Sequence, residues 1–213
     1  MTAAETITTG MKIYGGFQAG LGALGMIGGA VNNDGQGFRK ASKLFFGNFY
    51  LNENDFWGGV GRGISRHTWE ALQSGLGHGV SQVLNTAGIT DKVEYWNGIT
   101  FGTTRHDGIA VSLGNFINVE TDPYSNFADY IFTNYTVMHE YGHTIDSKIF
   151  GLSYLFVIGA PSLYSAATSK PVDDYTSTHS FRRYEMRANR HTKKYFSNYG
   201  VIWDEIRYPT QKR

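Results

Sequence analysis

Twenty-three of the 27 glycines lie at or before Gly114. Glycine is permissive of turns and costs helix stability, so the chain is predicted to have two halves with different backbone habits, a turn-rich first half and a helical second half. Within the first half, residues 13–33 carry no charge, and GGFQAGLGALGMIGGAV repeats small residues at helical spacing, Gly16 with Gly20 and Gly25 with Gly29. Such spacing lets helices approach closely, in a membrane or in a packed core. Gln18 and the glycine content favour a buried packing segment over a membrane-inserting helix. Residues 1–60 are therefore expected to form a glycine-rich segment that packs or touches a membrane, and residues 61–213 a separate folded domain.

The composition, 41% hydrophobic and 17% charged, supplies a core and excludes a disordered chain. A formal charge of +1 gives no global reason to expect nucleic acid as a partner. Without cysteine there are no disulfides and no thiolate chemistry, which leaves His, Asp and Glu as the strong side-chain metal ligands. The residues after Met1 show no secretory signal.

Element by element, a short helix is predicted near residues 38–46. Residues 65–86 form an amphipathic helix with an apolar stripe through Trp69, Leu72, Leu76, Val80 and Val83. Two strands follow, residues 93–104 and 108–119, joined by a hairpin turn at Arg105-His106-Asp107-Gly108. A long helix covers residues 127–147, an apolar run after it is closed by Pro161, and a last helix covers residues 181–198. The fold class is α+β, a small mixed sheet followed by helices.

Chemistry concentrates in the first of those late helices, at His139-Glu140-Tyr141-Gly142-His143. Residues four apart on a helix share a face, so both imidazoles can converge on one metal ion. Glu140 stands beside them as a general base that takes a proton from a metal-bound water and passes it to a leaving amine. Val137 and Met138 mark the helix as buried, where His and Glu need a shared partner. Gly142 allows another segment to approach.

A catalytic zinc takes three protein ligands, and Asp146, Glu185 and His191 are the candidates for the third. Asp146 lies on the same helix and points past the metal, which suits a supporting group better. Glu185 is preferred, with Ala188 small enough for close helix packing and Asn189 placed to orient a ligand imidazole. His191 is the alternative. Tyr175, His179 and Tyr184 are candidate donors to an oxyanion. The cluster Arg182, Arg183, Arg187, Arg190, Lys193 and Lys194 is a solvated face or a contact for a partner. His67, His78 and His106 lack metal-ligand spacing and are read as structural.

HEYGH followed by Glu185-x-x-Ala188-Asn189 resembles the gluzincin metallopeptidases, in which a second helix supplies a glutamate as third ligand. The resemblance implies a zincin-like fold, one Zn²⁺ per chain, a protein or peptide substrate, and an edge strand at residues 108–119 that pairs with that substrate. In that family an Asp commonly stands where this chain has Asn189. More broadly, FFGNFYLNENDFWGG, SRHTWEALQSGLGH, SLGNFINVE and HEYGHTIDSKIFGLSYLF resemble the C-terminal toxin regions of bacterial Rhs/YD-repeat polymorphic toxins. That likeness implies an exported or delivered effector with an immunity protein as partner.

Overall fold

The computed structural model describes residues 3–31, 35–51 and 56–212. It is a mixed α+β structure that divides into two compact units, Met1–Asp122 and Pro123–Arg213. The boundary between these units falls after the sheet.

The first unit opens with four helices, α1 (Ala3–Val31), α2 (Gly35–Gly47), α3 (Phe56–His67) and α4 (Ala71–Thr86). α1 packs on α2 and α4, with Gly22, Gly25 and Gly28 at the contacts, whereas Gly15, Gly16 and Gly20 face open space. A Cβ on Gly22 would meet the Phe45 ring at 2.5 Å and one on Gly28 would meet Thr86 at 2.6 Å, so these positions need the missing side chain. Among the described residues no single helix is long and apolar enough to cross a membrane.

Residues 65–86 are two helices and not one. The run breaks at residues 68–70, where the Ser65 hydroxyl donates to Glu70 Oε1 at 2.6 Å and the Ser65 carbonyl accepts the Glu70 N–H at 2.7 Å, closing a turn between α3 and α4. The stripe also faces the other way. Leu72, Leu76 and Val83 are exposed, whereas Gln73, Ser74, His78, Ser81, Gln82 and Asn85 are buried. The buried polar groups hold this orientation through hydrogen bonds to neighbouring backbone, Gln82 Nε2 donating to Ala41 O at 3.0 Å and Asn85 Nδ2 to Gly37 O at 3.0 Å.

Four strands follow, β1 (Lys92–Trp96), β2 (Ile99–Thr104), β3 (Ala110–Leu113) and β4 (Phe116–Glu120), in the order β1-β2-β4-β3. The hairpins are closed by Asn97-Gly98, both at positive φ, and by Gly114-Asn115. Asn-Gly suits a two-residue turn in which both central residues need φ above zero. The stretch 105–108 is not a hairpin turn: it leads from β2 to β3, which are not neighbours, and β4 inserts between them, parallel to β2. β3 is an edge strand of this sheet. Leu44, Val93 and Phe116 form one buried apolar cluster of the unit.

In the second unit the expected helix over 127–147 is split into α5 (Phe127–Tyr130) and α6 (Tyr135–Phe150). Asn134 starts α6 by accepting the Val137 N–H at 3.0 Å, the usual role of an N-cap side chain. The apolar run becomes a 3₁₀ turn, Gly151–Ser153, a π-helical turn, Leu155–Gly159, and then α7 (Ala160–Ala167). Pro161 sits in the first turn of α7 and opens that helix rather than closing the run, because the first turn needs no N–H from it. α8 (Arg183–Phe196) follows. α6 packs on α8, with Val137, Met138, Tyr141, Met186, Ala188 and Phe196 buried. A Cβ on Gly142 would meet the Ala188 carbonyl oxygen and Thr192 Oγ1, each at 2.4 Å. The helices touch backbone to side chain at that point, and Thr192 Oγ1 donates to Met138 O at 2.9 Å across the same contact.

Candidate metal centre

The close contact between α6 and α8 brings three donors together. His139 and His143 lie one turn apart on α6 with ring centroids 4.9 Å apart, and Glu185 sits in the first turn of α8 facing them. His139 Nε2 and His143 Nε2 are each 3.1 Å from the same oxygen, Glu185 Oε2. One donor atom from each of the three side chains lies within 4.8 Å of the other two, so the group can hold a metal ion.

The donor set fits that use. Metal–ligand bonds of about 2.0–2.2 Å in a tetrahedron set neighbouring donors roughly 3.3–3.5 Å apart, close to the observed 3.1 Å. His139 Nδ1 is engaged by Asn189 Oδ1 at 2.6 Å, so the proton belongs on Nδ1 and the lone pair of Nε2 is left for a metal. Asn189 is itself fixed, its Nδ2 donating to Pro209 O at 2.9 Å. The other oxygen of Glu185, Oε1, accepts from Ser162 Oγ at 2.6 Å and lies 3.5 Å from His179 Nε2.

The electrostatics follow from burial and convergence. Burial alone would raise the Glu185 carboxyl, but the His143 and His139 imidazoles against it hold it well below the usual carboxylate range. Burial pulls His143 down, and the carboxylates of Glu185, Glu140 and Asp146 overcome that and push it up to about 9. Glu140 is buried, 6% exposed, and is near enough to His143, His179 and Tyr208 to influence all three.

Asp146 lies behind the histidines. It is fully buried, with Oδ2 4.0 Å from His143 Nδ1, too far for a hydrogen bond. Arg187 Nε lies 2.8 Å from Asp146 Oδ1 and His191 Nε2 lies 3.3 Å from it. His191 is thereby set against Asp146, outside the three-donor group. Burial raises the Asp146 carboxyl in spite of these neighbours.

A pocket of about 230 Å³ opens beside the donors, lined by His139, Glu185 and Asn189 together with Tyr175, His179, Ser180, Arg207 and Tyr208. Two of the proposed oxyanion donors, Tyr175 and His179, are in that lining. Tyr184 is not, and its hydroxyl donates to Pro161 O at 2.8 Å. The basic run of α8 is only partly a solvated face, because Arg187 pairs with buried Asp146 and covers the Phe150 ring at 4.2 Å, while Lys193 pairs with Glu205 at 2.7 Å on the surface.

Tyr208, Arg207 and Ser162 come to the site unannounced by any pattern in the sequence. Tyr208 packs at a tilt against His139, ring centroids 5.7 Å apart, with its hydroxyl 2.6 Å from Thr136 Oγ1, Arg207 precedes it, and Ser162 orients Glu185. None carries a motif, since each reaches the site from a loop or helix start distant in sequence. Comparison of the chain with family models, curated proteins and solved structures finds no match among them.

Proposed function

We propose that the protein is a zinc-dependent metallopeptidase with a zincin-like fold, holding one Zn²⁺ through His139, His143 and Glu185. The observation that carries this reading is the convergence of two imidazole Nε2 atoms on one buried Glu185 oxygen with the Glu140 carboxylate buried beside them. Two nitrogens, one oxygen and a free position suit catalytic zinc better than calcium or magnesium, which take oxygen ligands. Bound zinc supplies Lewis acidity to the site. Glu140 takes the proton of the attacking water and returns it to the leaving amine. Asn189 fixes the ring of His139, Ser162 fixes the carboxylate of Glu185, and His179 and Tyr175 offer donors toward a developing oxyanion.

Metal content measured by plasma mass spectrometry tests the ligand set: about one zinc per wild-type chain, lost in His143→Ala and in Glu185→Ala. Glu140→Gln keeps the zinc and abolishes peptide hydrolysis, and a Glu140→Gln protein that still turns over sinks the mechanism. The likeness to polymorphic toxins extends the proposal to a delivered bacterial effector held in check by an immunity protein. Expression of wild type then harms a bacterial host and Glu140→Gln relieves the harm.

A second reading has one observation in its favour. Phe17, Leu24 and Ile27 of α1 and Leu72, Leu76 and Val83 of α4 are exposed, as in a module that meets a membrane while its metal only holds the fold. Equal harm from wild type and Glu140→Gln favours that reading.

A further inference from the structure

Resting on the metallopeptidase reading, we propose that Arg207 receives a carboxylate of the substrate, so that the site takes peptides bearing an acidic group within one or two residues of the cleaved bond. Arg207 and the metal-binding residues His139 and Glu185 line one pocket of about 230 Å³. An extended chain advances about 3.3–3.6 Å per residue, and a pocket of that volume holds one or two residues. A group seated on Arg207 therefore lies close in sequence to whatever is presented at His139 and Glu185.

Arg207 is the one fully charged cation among the residues lining this pocket. Its only carboxylate neighbour among the described residues, Asp204, stands 3.7 Å from Nε, too long for a hydrogen bond. Asp204 spends its other oxygen on the backbone N–H groups of Ile206 and Arg207, at 3.0 and 3.1 Å. The guanidinium lies over the Tyr175 ring at 5.3 Å, a geometry that steadies a cation without consuming its donors. The next residue, Tyr208, is anchored on His139 and Thr136, which ties the backbone of Arg207 to the metal-binding helix. A planar guanidinium with free terminal N–H groups matches a carboxylate in bidentate fashion. The remaining charge in the lining, Glu185, is turned toward the two imidazoles and away from this role.

The zinc-loaded full chain is titrated with succinate and with butyrate, four-carbon acids that differ by one carboxylate, and binding is read by calorimetry. Wild type is expected to bind succinate about tenfold tighter than butyrate, Arg207→Gln to lose the difference and Arg207→Lys to keep part of it. Equal affinities in wild type, or an undiminished preference in Arg207→Gln, overturn the proposal. Hydrolysis of matched peptides separates the two sources of carboxylate. Faster cleavage of the free acid than of the C-terminal amide assigns a chain terminus, and faster cleavage of a Glu peptide than of its Gln counterpart assigns a side chain. Hydrolysis without either preference overturns the role of Arg207 and leaves the peptidase reading intact. An Arg207-dependent succinate preference in a protein that cleaves no peptide supports the carboxylate site and removes the peptidase reading.

Discussion

At the scale of single residues, the centre is a carboxylate oxygen facing two imidazole nitrogens at 3.1 Å. Without a metal, a proton bridges His143 and Glu185, and His143, pushed up to about 9 by Glu185 against the downward pull of burial, carries it at neutral pH. A raised histidine pKa stabilises the fold fully below the unfolded value near 6.5, and the contribution disappears as pH rises through about 9. A metal must displace that proton. Zinc binding at pH 7 is thus expected to release about one proton, read as a dependence of calorimetric heat on the ionisation enthalpy of the buffer, and zinc affinity to rise about tenfold per pH unit toward pH 9. Heat independent of the buffer would show that no proton is displaced.

At the scale of elements, the site depends on how closely α8 approaches α6, and Gly142 sets that distance. An alanine there gains about 1 kcal/mol in helix propensity but places a methyl group 2.4 Å from the Ala188 carbonyl oxygen, where backbone must shift. Overpacking of this kind costs about 1–3 kcal/mol. Gly142→Ala is expected to lower the denaturation midpoint and, by moving Glu185 away from the histidines, to weaken zinc binding; unchanged zinc affinity would mean that α8 can slide without disturbing the donors. The triad was legible because helical periodicity fixes i,i+4 partners and because Gly142 and Ala188 are small where two helices must meet. The sheet was less legible, since Arg105-His106-Asp107-Gly108 has turn chemistry yet joins non-adjacent strands, while the true hairpin signal, Asn97-Gly98, lies within what read as one strand. The inward face of α4 is not legible in the sequence, as periodicity places residues on a common face but does not say which face is inside. Its buried side is organised by His78, which lies between the Phe45 and Phe116 rings, contacts Gln18 through Nδ1 and accepts from Gln82 Nε2 through Nε2 at 3.1 Å. Burial lowers His78 to about 4. The folded state then binds fewer protons than the unfolded state between about pH 4 and 6.5, so stability rises with pH across that window, by about 3 kcal/mol in all. Urea unfolding of metal-free protein at pH 5 and pH 7 measures about 2 kcal/mol of it, and a slope that survives in His78→Gln would assign it to another group.

At the scale of the whole molecule, every residue assigned to the metal, to proton transfer or to the pocket lies between positions 139 and 208, within the unit Pro123–Arg213. That unit has its own buried residues, Ile131, Val137, Met138, Ile158, Met186 and Phe196 among them, and is large enough to fold without disulfides. The exposed apolar side chains that favour a membrane reading, Leu24, Ile27 and Val83, all belong to Met1–Asp122. The two readings of function therefore assign the active part of the chain to different units, and a fragment of residues 123–213 separates them. Expressed alone, it is expected to bind about one zinc, to melt cooperatively at a temperature raised by zinc, because the metal binds only the folded state, and to retain Glu140-dependent hydrolysis. A fragment that binds zinc and folds but neither hydrolyses peptides nor harms a host, beside a full chain that is toxic with Glu140→Gln in place, would assign the toxicity to residues 1–122 and reduce the metal to a structural role. Failure of the fragment to fold even with zinc would mean that the unit draws its stability from residues 1–122, and the same comparison would then be made on full-length chains with Leu24, Ile27 and Val83 replaced by Ser, where retained toxicity supports the peptidase and its loss supports the membrane.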